Sequence, residues 1–134
     1  MPRQDDTERN KAVIAQFPAL LRAPDPAAIQ ALFTEDFRLQ DAKYPDWPRG
    51  HDGAVRIFQQ LRVLMPDIEA GIEDMFGAGD RLCVRWRYKG TLASGSGAHF
   101  EGVGISIYRF RDGRIAENWG TDMLLLPGHP WRKE

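Results

Sequence analysis

Val13, Ile14, Phe17, Leu20 and Leu21 recur at spacings of three and four, the signature of a helix that buries one face, and Thr7 is placed to cap its start. Pro18 falls inside this pattern. It predicts a kink or an early end, because proline lacks an N–H and its ring clashes with the carbonyl one turn back. Asp25-Pro26 then sets a capping residue before a proline at the first helical position, opening a second short helix with Ile29, Leu32 and Phe33 inward. Phe37 to Gln40 predicts a short strand, and the stretch DAKYPDWPRGHDG after it reads as a loop from its prolines, glycines and aspartates. Asp52 caps a predicted third helix, with Val55, Phe58, Leu61, Leu64 and Met65 on one side and Pro66 closing it.

From Ile68 onward the period shortens to two. Ile68, Ala70 and Ile72 alternate with acids and glycine, and Gly77 to Asp80 makes a turn. Leu82, Val84, Trp86 and Tyr88 then alternate with Cys83, Arg85, Arg87 and Lys89, which predicts a strand with one apolar and one polar face. After the turn Ser94-Gly95-Ser96-Gly97, a strand from about His99 to Phe110 sets Val103, Ile105 and Ile107 opposite Gly102, Gly104, Ser106 and Tyr108. Asp112-Gly113 marks a hairpin into a last strand, Ile115 to Met123. The predicted class is α+β: three N-terminal helices packed on the concave face of a curved antiparallel sheet of four long strands. Gly102 and Gly104 would let that sheet bend sharply, giving a cone whose open end is a small-molecule pocket.

With 134 residues the chain is expected to be one domain, 1–134, with a core of about 7–126 and short tails. A formal net charge of -1 argues against a nucleic-acid partner, and Arg85, Arg87 and Lys89 read as the wet face of a strand. Cys83 is the only cysteine, so an internal disulfide and a cysteine-built metal site are excluded. His51, His99 and His129 lack the close spacing of a metal-binding helix. No apolar run has the roughly twenty residues of a membrane span, and the polar N-terminus does not read as a secretion signal, so the cytoplasm is the expected compartment.

Candidate chemistry concentrates in the last predicted strand, which holds Glu117, Asn118, Trp119 and Asp122 before Met123-Leu124-Leu125-Leu126. An aspartate can take a proton from carbon beside a carbonyl once an apolar setting raises its pKa, and Trp119, Met123 and Leu124 offer such a setting to Asp122. Simple alternation puts Asp122 on the face of Asn118 and Gly120, where the amide could polarise a carbonyl oxygen; a bulge near Gly120 would change that register. Glu117 suits a surface position paired with an arginine such as Arg109, or the second carboxylate of an epoxide hydrolase or dehydratase. Tyr44, Trp47 and His51 fall in the loop placed at the mouth, Trp86 and Tyr88 on a core or pocket-lining face, and His99 at a strand start. The tail PGHPWRKE could pack through Trp131 on a partner or fray.

NKAVIAQF, ALFTEDF, HDGAVRIFQQL, GDRLCVRWRYKGT and YRFRDGRIAENW, in this order and spacing from Asn10 to Leu125, resemble the SnoaL-like polyketide cyclase (ester cyclase) branch of the nuclear transport factor 2-like superfamily. The resemblance implies a cystatin-like cone, a homodimer packed through the outer sheet face, and an apolar or aromatic small molecule as substrate without metal or cofactor. It also implies an aspartate on the last strand as general acid/base for an intramolecular aldol closure, and Asp122 matches best. Where many relatives carry histidine this chain has Asn118, Leu92 and, after Asp41, Ala42. A binding or scaffolding module that keeps the fold without the chemistry is therefore the alternative to a cyclase or isomerase.

Overall fold

A computed structural model describes residues 4–42, 44–93 and 97–120. The first helical pattern is broken where proline predicts it: α1 (Gln4–Ile14) ends before α2 (Phe17–Arg22), with Pro18 in the first turn of the second piece. Thr7 does not cap α1, since the helix already runs from Gln4 and Thr7 lies inside it. Acids such as Asp6 favour a helix's first turn, which lets it begin earlier. The predicted Asp25 cap forms, its carboxylate accepting from the Ala27 N–H at 3.1 Å, and α3 (Pro26–Gln30) follows.

Phe33 is not part of that helix. It opens β1 (Phe33–Gln40), twice as long as the strand the pattern predicts, because the chain is drawn into a ladder with the C-terminal strand as soon as Ile115 donates to the Leu32 carbonyl at 2.8 Å. Helix α4 (Gly50–Leu64) starts two residues before Asp52, which sits in its first turn, so the loop ends at Arg49. Gly50 has φ of +75°, and a Cβ there would lie 2.6 Å from the Glu35 carbonyl oxygen, so the close seating of the helix start on β1 needs glycine.

Four strands then run as an antiparallel meander: β2 (Glu69–Ala78), β3 (Arg81–Thr91), β4 (His99–Arg111) and β5 (Arg114–Gly120). The curved sheet has five strands, in the order β1-β5-β4-β3-β2, and β1 joins it parallel to β5. The sheet is therefore mixed. Its inner face, covered by the helices, carries Leu82, Val84, Trp86 and Tyr88 of β3 with Ser106, Tyr108 and Phe110 of β4, all buried against Phe17, Phe33, Phe37 and Phe58.

The outer face has an unusual distribution. Val103, Ile105 and Ile107 point outward at 48%, 49% and 39% exposure, while Gly104, Ser106 and Tyr108 point in. Strand register lines Phe76, Cys83, Ile107 and Trp119 across β2, β3, β4 and β5 as one row on this outer side. Arg85, Arg87 and Lys89 also lie outward, as their wet-face reading anticipates, and they pair with Glu73 and Glu69. No helix among the described residues is long and apolar enough to cross a membrane.

Candidate functional site

Cross-strand register places Asn118 directly opposite Tyr108 on one side and Leu39 on the other, so all three share the inner face. The Asn118 side-chain oxygen is buried and has no hydrogen-bond partner among the described residues. A lone buried acceptor is costly unless something fills it. Tyr108 is buried beside it and receives a hydrogen bond from Trp86 Nε1 at 3.3 Å. Burial pushes the Tyr108 pKa up to about 12 against the opposing hydrogen bonds of Ser106 and Trp86, so the phenol holds its proton at any ordinary pH. Tyr88 is also raised well above its usual value, chiefly by burial and then by Tyr108.

The aromatic wall around this polar spot is continuous. Trp86 stacks on Phe17 with centroids 5.9 Å apart and leans on Tyr88 at 5.9 Å. Phe17 in turn meets Tyr108 edge-on at 5.8 Å. Asn118, Trp86, Tyr88 and Tyr108 thus belong to one interior face. Tyr108 is the member that pattern reading left out; its signal was its place on the same strand face as Gly104 and Ser106, which turns inward only because the apolar residues of β4 turn outward.

Other expected site residues sit apart. Trp119 is on the outer face across from Ile107, with the Arg81 guanidinium 5.1 Å over its ring. His51 Nε2 donates to the Phe33 carbonyl at 3.1 Å, tying α4 to β1. Trp47 Nε1 donates to the Gly53 carbonyl at 2.9 Å, and half-exposed Tyr44 meets it edge-on at 5.4 Å. A Cβ on Gly53 would fall 1.8 Å from the Pro48 carbonyl oxygen, so the aromatic loop is held down on the helix start. His99 is exposed at the start of β4, across from Thr91. Asp122 lies outside the described residues, as do His129, Trp131 and the end of the predicted last strand.

Glu117 also lies on the outer face, opposite Arg38 and Arg109. One carboxylate oxygen accepts from Gln40 Nε2 at 2.8 Å and the other from Arg109 Nε at 2.6 Å. The Gln40 hydrogen bond, then Arg109, hold its pKa below the usual glutamate value. The arginine partner anticipated from the strand pattern is therefore present, and a carboxylate so held is a poor proton donor. A lowered folded pKa adds stability above the unfolded value of about 4.5 and loses it as pH falls through the folded one. In urea unfolding between pH 7 and pH 3, the wild-type midpoint is expected to drop more steeply below pH 4.5 than that of Glu117→Gln. Parallel curves would show that the network adds no pH-dependent stability.

Sequence comparison matches the SnoaL-like domain model to residues 14–118. The chain belongs to the SnoaL-like family. No curated protein matches it. Among solved structures, IdmH from Streptomyces antibioticus, a candidate polyketide cyclase, is 25% identical with a TM-score of 0.71, over 87% of this chain and 95% of IdmH. A candidate polyketide cyclase from Bacillus cereus ATCC 10987 has a TM-score of 0.75 at 24% identity, over 89% of this chain and 77% of that one. A protein with a ketosteroid isomerase-like fold from Catenulispora acidiphila DSM 44928, solved with trimethylamine, has a TM-score of 0.72 at 17% identity, covering 90% and 97%. The last two are similar in fold. Like the SnoaL-like model, these matches span helices and sheet together, which agrees with the α+β architecture described above.

Proposed function

We propose that this SnoaL-like protein is a cofactor-free acid/base enzyme that cyclises or isomerises an apolar carbonyl compound in a cone-shaped pocket. The observation that carries the reading is the buried oxygen of Asn118, without a partner among the described residues, on an aromatic inner face beside Tyr108. A folded chain accepts such a cost where a ligand supplies the missing partner. Asp122 is the general acid/base: the period of two carried on from Asn118 and Gly120 would set it on their face, where it takes a proton from carbon beside the substrate carbonyl. Behind this spot Phe33, Phe37, Phe58, Trp86 and Tyr88 form a packed apolar interior that keeps water from it.

The non-catalytic alternative draws on Leu92, which is buried in the core at a position where many relatives carry histidine. The epoxide hydrolase or dehydratase reading is disfavoured because Glu117, its second carboxylate, is on the outer face and held by Gln40 and Arg109. Incubating the protein with a panel of enolisable aromatic ketones and poly-β-ketone thioesters, with product analysis, tests the enzyme reading. Compounds that raise the melting temperature and are never transformed would favour the binding module instead.

The same reading includes a homodimer packed through the outer sheet face. The row of Phe76, Cys83, Ile107 and Trp119, with Val103 and Ile105 beside it, is an apolar strip bordered by Arg85, Arg87 and Glu73, the arrangement of an interface core with a charged rim. Ile105→Arg is expected to convert a dimer into a folded monomer in light scattering. An unchanged mass, or a monomeric wild type, would sink this assignment.

A further inference from the structure

We draw no further inference here: the strongest candidate, the cavity of about 330 Å³ where the start of β1 meets the β4–β5 turn, is lined by exposed charges of both signs on Glu35, Arg111, Asp112 and Arg114, the Thr34 hydroxyl oxygen in its wall is buried rather than open to it, and nothing in the structure shows what it would take.

Discussion

Asp122→Asn is expected to lower turnover of a transformed substrate by about a hundredfold or more, the usual loss when a general base is removed. Asparagine preserves size and hydrogen bonding but cannot accept the proton. The substitution therefore separates chemistry from binding: KM for the transformed substrate should stay within a few-fold of wild type while kcat collapses. Carboxyl carbon NMR of Asp122, assigned with the same variant, supplies an independent reading. A desolvated carboxyl would titrate above the aspartate reference of about 3.9, and the rate of a reaction it drives as a base would climb with pH through that raised value. A pKa at or below the reference, with turnover within a few-fold of wild type in Asp122→Asn, would take Asp122 out of the chemistry and assign the proton transfer to another group.

Much of this arrangement is legible in residue order, and what is not has definable causes. The break at Pro18, the Asp25-Pro26 helix start and the inward face of Leu82, Val84, Trp86 and Tyr88 follow from local chemistry and period, and they form as expected. The parallel pairing of β1 with β5 is a contact between residues some eighty positions apart, and no local pattern encodes it. β4 shows the limit more sharply. Alternation separates Val103, Ile105 and Ile107 from Gly104, Ser106 and Tyr108, yet hydrophobicity alone would send the first set inward. Neighbouring strands decide otherwise: the register with β3 puts Tyr108 beside Leu82 and Ser106 beside Val84, which are already committed to the core. The same logic turns Asn118 inward and Glu117 outward, although both are polar residues on one strand.

Phe17→Ala is expected to cost about 3–5 kcal/mol of folding stability, the range for deleting a buried aromatic ring from a core. Phe17 is the first residue of α2, so the interruption imposed ahead of Pro18 is also what aims this side chain at the sheet. Its ring meets Phe58 at 5.0 Å, Tyr108 at 5.8 Å, Trp86 at 5.9 Å and Phe33 at 6.0 Å, linking α4, β4, β3 and β1 through one side chain. No single neighbour can shift to fill the space without leaving another, so the cavity should collapse poorly and the cost should fall toward the upper end. Against a total stability of about 5–15 kcal/mol for a domain of this kind, the loss is a large share. Val63→Ala on the exposed side of α4 supplies the control and should stay within about 0.5 kcal/mol of wild type.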